Sequence, residues 1–280
     1  GNKLKRNTAN IRVNTNFFPK LTTDTKITYV NQSIDNKPRL GDAGTPLSAY
    51  IMPRDMSESE LKDYEDINPA NGQPIRKYWT VSSIYDNQYW STERTSVNDE
   101  RNRVTALASA KYEIFDWLSV MGRVSYDRYN DKTDGSFYDG TVSLGDVKTG
   151  GKYYEINSSY WERNFDGLIT GKNTFADDFE INYNLGASSL KRVYNSTRNM
   201  ANGLSIPNKF SLTAATTPAF EEVSGYERAL NSVYGSLQVG FKRYLYLDVT
   251  ARNDWSSTLP SPHSYFYPSV GLSAVITDMV

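Results

Sequence analysis

The chain has 280 residues, a formal net charge of -1, 13% aromatic residues and no cysteine. That balance leaves no disulfide framework or thiolate metal site, and it argues against a nucleic-acid partner, which needs a clustered basic face. No run of roughly 18 apolar residues occurs, so membrane-spanning helices are excluded; strands that are apolar only at alternate positions escape that test.

Period-two alternation predicts about nine strands, at 8–18, 21–33, 101–115, 117–130, 158–173, 178–197, 226–241, 243–255 and 264–277. Each is near or above the roughly 9–11 residues that carry a tilted strand across a bilayer. In the third, Val104, Ala106, Ala108, Ala110, Tyr112 and Ile114 oppose Thr105, Ser109, Lys111 and Glu113. In the fourth, Leu118, Val120, Gly122, Val124 and Tyr126 oppose Ser119, Arg123, Ser125 and Asp127. The sixth sets Phe179, Ile181, Tyr183, Leu185 and Ala187 against Glu180, Asn182, Asn184 and Ser188. Near the end, Leu245, Leu247, Val249 and Ala251 alternate with Tyr246, Asp248, Thr250 and Arg252. Successive strand side chains face opposite ways, so each strand has one apolar and one charged face.

The connections fall into two alternating classes. Pro19–Lys20, Asp116, Ala176–Asp177 and Lys242 are tight, whereas 34–100, 131–157, 198–225 and 256–263 are long. Short turns at one end and long loops at the other are the arrangement of outer-membrane barrels, not of a sandwich. Aromatics flank the tight turns (Phe17, Phe18, Phe115, Trp117, Phe175, Phe179, Phe241, Tyr244), and a second set (Tyr29, Tyr126, Tyr194, Trp255) lies about ten residues further on. Two such rings bracketing an apolar band are expected at the two membrane–water boundaries. Arg123, Asp127, Glu180, Asp248 and Arg252 sit within the strands, where a closed soluble core would have to bury them at a cost. A wide lumen does not.

The segments Ala251-Arg-Asn-Asp-Trp-Ser-Ser-Thr-Leu-Pro260 and Ser264-Tyr-Phe-Tyr-Pro-Ser-Val-Gly-Leu-Ser273 resemble the late-barrel signature of the SusC/RagA-type TonB-dependent outer-membrane transporters of Bacteroidetes. The Lys242–Asp248 approach and the Asp116-Trp-Leu turn leading to Gly122-Arg-Val-Ser-Tyr-Asp127 are similar too. The resemblance is specific over 243–277, weaker over 99–130 and architectural elsewhere. It implies an all-β fold, an antiparallel transmembrane barrel of about 22 strands with a plugged lumen and long extracellular loops. Residues 1–280 would then be a partial barrel domain of about nine strands, without the plug or the remaining strands. It also implies the outer membrane of a Gram-negative bacterium, an oligosaccharide or peptide substrate, a SusD-like surface lipoprotein as lid, and TonB engaged through a segment absent here. The chain opens at Gly1-Asn2-Lys3 with no apolar leader, so no signal peptide is read and an internal piece of a larger protein is expected. The other reading is a soluble or surface-anchored β-rich glycan-binding module.

No catalytic set stands out. His263 is the only histidine, and an exposed loop position is expected for it rather than a triad with Asp254. Asp55–Asp66 is acidic but lacks the ligand spacing of a calcium loop. Ser57 and Glu60 predict instead a capped helix over 57–66. Calcium bound by loop oxygens stays open, and no other cofactor is expected. The loop aromatics Trp79, Tyr85, Tyr89, Trp90, Tyr153 and Tyr154 are candidates for substrate capture, for docking a lid protein, or for packing the loops together. The loop at 34–100 carries too much apolar surface to stay unfolded, and it is expected to be ordered over the extracellular mouth.

Overall fold

A computed structural model describes residues 2–39, 45–77, 85–142, 147, 149–176, 178–217 and 219–278. The chain forms β1 (Lys3–Phe18), β2 (Leu21–Asp35), α1 (Thr45–Tyr50), α2 (Glu58–Lys62), β3 (Glu65–Ile67) and β4 (Pro74–Arg76). There follow α3 (Gln88–Glu93), β5 (Thr95–Phe115), β6 (Leu118–Phe137), β7 (Lys152–Phe175) and β8 (Phe179–Asn202). The last strands are β9 (Phe220–Phe241), β10 (Leu245–Ser256) and β11 (Ser264–Ala274). Nine strands pair in one antiparallel sheet, in the order β1-β2-β5-β6-β7-β8-β9-β10-β11, so the edges are β1 and β11, as the sequence predicts. β3 and β4 make a separate hairpin within the first long loop.

The sheet has one layer. Its outward-facing apolar side chains are not covered: Ile11, Val13, Ile27, Phe165, Leu185, Val270 and Leu272 are exposed, the last two at 71% each. Leu247 and Ala274 are likewise exposed, and Leu245 and Val249 half-buried by their strand neighbours. A two-layer soluble module would bury this face against a second sheet. The opposite face is polar, and much of its charge is paired. Arg12 pairs with Asp24, Arg101 with Asp131, Arg103 with Asp127, Arg123 with Asp166, Arg192 with Glu162 and Arg252 with Asp254, each across or along neighbouring strands.

The register fixes the tilt. The row beginning at Leu21, beside the first turn, runs through Tyr112, Val120, Ile169, Leu185 and Gly235. The turn after β9 nevertheless lies at Phe241, six residues beyond Gly235 after five strand-to-strand steps. With ~3.3 Å per residue and ~4.8 Å between strands, that stagger inclines the strands by about 40° to the normal of the turns' plane. Each residue then climbs about 2.5 Å, and an apolar band of about 25 Å takes ten residues, the span from Phe175 to Phe165 on β7.

Two sequence expectations are corrected. The strands run further on the long-loop side than alternation shows: β5 starts at Thr95 rather than 101, β6 ends at Phe137 rather than 130, and β7 starts at Lys152 rather than 158. Above the apolar band both faces meet water, so alternation disappears while the hydrogen-bond ladder continues. Tyr194 is not part of the outer aromatic set; it lies in the row Tyr129–Tyr160–Tyr194–Tyr226 on the lumen face. Tyr29, Tyr126 and Trp255 are exposed as expected. At the turns Phe115 stacks on Trp117 at 5.3 Å and Phe179 meets Phe241 at 5.0 Å.

Candidate functional site

The lumen face at the long-loop end holds the most developed site. In register, Arg103, Tyr129, Tyr160, Tyr194 and Tyr226 form one row across five strands. Tyr129 stacks on Tyr160 with ring centroids 4.9 Å apart, and Tyr194 on Tyr226 at 5.6 Å. Arg101 lies over Tyr129 at 4.6 Å and Arg228 over Tyr226 at 4.5 Å, so a cation closes each end of the ladder. Below it, Tyr160 donates its hydroxyl to Glu162 (2.8 Å), which also accepts from Arg192 (2.5 Å). Tyr194 donates to Ser158 (3.2 Å). The result is a strip about 15 Å long of flat ring faces with fixed donors and acceptors beside it, suited to sugar rings or to peptide side chains. Sequence reasoning sets Tyr194 in the outer aromatic ring and assigns no face to the other three; only the register puts all four in one row.

The long loops close over this end. Trp90 in α3 is 0% exposed; its indole N–H donates to Thr141 Oγ1 (2.9 Å), and its ring meets Tyr138 edge-on at 6.5 Å. Asn87, also fully buried, caps α3 by accepting from the Tyr89 N–H (2.8 Å) and donates to the Leu61 carbonyl (2.9 Å). Buried Asp86 accepts from Arg76 (3.3 Å) and from the Val142 N–H (2.9 Å). Burial pushes its carboxyl above the ordinary range, with the Val142 N–H and the Arg76 and Arg39 charges opposing the rise. Arg94 makes a two-pronged bond to Glu65 (2.5 and 2.6 Å), and that bond, aided by the carboxylate's charge, holds the guanidinium proton more tightly still. Asn208, from the loop after β8, accepts from the Asp139 N–H (2.8 Å) and donates to Gln73 (3.2 Å). Three loops are thereby joined into one cap.

The six aromatic candidates separate. Trp79 lies outside the described residues. Trp90 is interior to the cap and packs the loops. Tyr85 is half-buried, its carbonyl held by Arg76 (3.2 Å). Tyr89 stacks on Tyr64 at 6.2 Å and reaches Glu58 at 3.5 Å. Tyr153 and Tyr154 belong to β7 rather than to a loop, and they point to opposite faces. Tyr153 donates to Glu155 (2.7 Å) on the outward face; Tyr154 faces the lumen, covering Gly135, with the Arg198 guanidinium 5.4 Å from its ring. A side chain at Gly135 would have to displace that ring.

The acidic stretch folds as expected from its cap. Ser57 and Glu60 form both halves of a capping box on α2. Three of the stretch's six carboxylates are engaged by cations: Glu58 by Lys62, Asp63 by Lys77, Glu65 by Arg94. Among the described residues no three metal-ligating side chains converge. His263 Nδ1 hydrogen-bonds the Leu259 carbonyl and Asp254 is held by Arg252 (2.7 Å), so these two do not form a catalytic pair.

One layer of tilted strands, apolar outside, ion-paired inside and capped by loops at one end, defines a segment of a transmembrane β-barrel. No protein-family model matches the sequence, and no curated protein matches it. Solved structures do. A structure described as the RagAB peptide transporter superposes with a TM-score of 0.73 at 14% identity, over 96% of this chain and 30% of the matched chain. The RagAB peptide importer in its closed-closed state gives 0.73 at 16% identity, over 96% and 30%. In its open-open state it gives 0.73 at 14%, over 96% and 29%. The fold is that of the RagA-type transporter barrel, and the chain spans about 30% of the length of the chains it matches.

Proposed function

We propose that this chain is part of the wall and mouth of a TonB-dependent outer-membrane importer that takes up peptides or oligosaccharides. A SusD-like surface lipoprotein serves as its lid, and TonB engages another part of the protein. The observation that carries this reading is the tyrosine ladder on the inner face of a barrel wall, several residues below the loop cap at the strand ends, on the fold of a peptide transporter. The open edges at β1 and β11 fit the same reading. Unpaired backbone rows are not tolerated in lipid, so further strands must cover them. The chain contributes a passage and a binding surface, with no enzymatic role.

The test is uptake by cells carrying the full-length protein, with peptide and oligosaccharide panels supplied in parallel. Tyr160→Ala with Tyr194→Ala is expected to leave barrel assembly intact, read by heat-modifiable migration. Uptake of one substrate class should fall roughly tenfold, as the loss of two ring contacts implies. If deleting the whole protein changes the uptake of neither class, the importer reading is removed.

A further inference from the structure

On the outward face, the strands β5 to β8 carry an ordered succession of surfaces that transport does not use. A groove of about 940 Å³ crosses the lipid-facing side. Its upper wall is the register row Val13, Thr25, Ala108, Val124, Phe165 and Ser189. Its floor includes Gly122 and Gly167, above which a Cβ would meet open space. It crosses six strands, about 24 Å, room for more than two chains lying side by side.

One row higher stand Tyr126, Arg163 and Lys191, and the next row is Arg128, Trp161 and Val193. Lys191 is paired with Glu227. Arg163 rests 5.6 Å from the Trp161 ring. Among the described residues neither Arg128 nor Arg163 has a carboxylate partner, and both are exposed. On the lumen side of the same sheet six arginines are each matched to a carboxylate. Arg163 is 12 residues above the turn residue Phe175, about 30 Å at the strand tilt, which is headgroup level for a band of about 25 Å. Above the cations the outward face turns mainly to amides and hydroxyls: Asn102, Asn130, Ser159 and Asn195 in one row, then Asn157 and Thr197 beside the opposed charges Glu100 and Lys132 in the next, around a hollow of about 350 Å³.

Apolar groove, unpaired guanidiniums and amide shelf follow in the order of acyl chains, phosphate and sugar. We infer that the outward face of β5–β8 binds a phosphorylated, acylated glycolipid of the outer leaflet. Its chains lie in the groove, its phosphate meets the forked guanidiniums of Arg128 and Arg163, and its sugars rest on the amide rows. A glycerophospholipid ends near its phosphate and leaves that shelf unused, whereas a sugar-bearing headgroup reaches it. This inference rests on the membrane placement proposed above.

The test uses the full-length protein in detergent, with binding followed by native mass spectrometry. Three probes are titrated: lipopolysaccharide lacking its O-chain, the same material stripped of phosphate, and phosphatidylglycerol. The first is expected to bind at least roughly tenfold more tightly than the other two, and Arg128→Ala with Arg163→Ala should lose that margin. In the double variant, dephosphorylation should then have no further effect. Ser189→Trp, which fills the groove from its wall, should weaken all acylated probes while leaving the phosphate dependence in place. Equal binding by wild type and the double variant overturns the site; phosphatidylglycerol binding as tightly as lipopolysaccharide overturns the glycolipid assignment. Heat-modifiable migration of each variant reports barrel folding separately. A wild-type protein that shows no such migration and stays soluble without detergent counts against the membrane placement itself.

Discussion

The wall and the cap are held by different physics. Along the membrane-level strands no large apolar side chain is buried; the six buried apolar residues among those described, Leu61, Trp90, Phe137, Ala201, Leu204 and Ala214, all lie in the loops or at the strand ends beside them. The wall is a ladder of backbone hydrogen bonds whose apolar side is completed by lipid. The cap is a small soluble assembly with its own core, buried polar pairs and helix caps. A substitution should therefore be felt by solvent-driven packing in the cap and by bilayer depth in the wall.

The largest effect is expected in the cap. Trp90→Ala removes a fully enclosed ring and leaves the Thr141 hydroxyl without its donor, which should cost about 3–5 kcal/mol of local stability. Hydrogen exchange on the assembled protein should show amides of α3 and of the 138–142 segment opening together, with β9 and β10 unchanged. Loss of protection spreading into those strands would show that wall and cap are one cooperative unit. The wall answers to a different probe. Val249 faces outward four residues above the Leu245 end of its strand, about 10 Å into the band, so Val249→Arg should cost ~2–4 kcal/mol when the protein unfolds from vesicles. Thr250→Arg, one residue on and facing the lumen, should cost far less. Equal costs at 249 and 250 would erase the distinction between the two faces.

What the sequence reveals follows the same division. Where lipid meets one side, composition must alternate, and Ala251, Val249 and Leu247 against Arg252, Thr250 and Asp248 disclose strand, facing and edge order. Above the band that constraint ends. Asn98-Asp99-Glu100 reads as loop, yet it is strand, held by side-chain bonds such as that from Asn98 to Asp134 and by the ladder itself. The cap was legible only where chemistry is local: the Ser57–Glu60 box is visible in four residues, whereas the burial of Trp90 depends on Thr141 and Tyr138, some fifty residues away. The tyrosine ladder was hidden for the same reason, since register across four strands is long-range information.

The buried pair of the cap sharpens the comparison through pH. The carboxyl of Asp86 lies above its ordinary value of 3.8 because burial disfavours its charge. The folded cap therefore holds that proton more tightly than the unfolded chain does. Its contribution is most favourable below 3.8 and declines as pH rises through the raised value. Glu58, held down by Lys62, and Glu60, held down by Ser57, work the opposite way, but only below their ordinary value of 4.5. Between 3.8 and its raised value Asp86 contributes a slope of its own sign, so opening of the 85–94 segment should increase as pH climbs through that range. Asp86→Asn should flatten that slope. A slope that survives the substitution would assign it to another group.

The smallest effect lies at α2, a five-residue helix that its cap largely decides. Ser57 accepts from the Glu60 N–H, and Glu60 returns a bond to the Ser57 N–H (2.7 Å), satisfying two donors that the first turn cannot satisfy itself. A helix this short has almost no propagation to offset its nucleation cost. Ser57→Ala should remove about 1 kcal/mol, enough to fray α2 because only Leu61 anchors it to the cap interior. Leu61 in turn offers its carbonyl to the Asn87 amide, so the loss should pass weakly to α3 through that bond and no further. Exchange at the Leu61 amide should quicken severalfold, that at Ser91 less, and that at Val249 not at all. Quickening at Ser91 as large as at Leu61 would mean that the cap opens as a single piece rather than helix by helix.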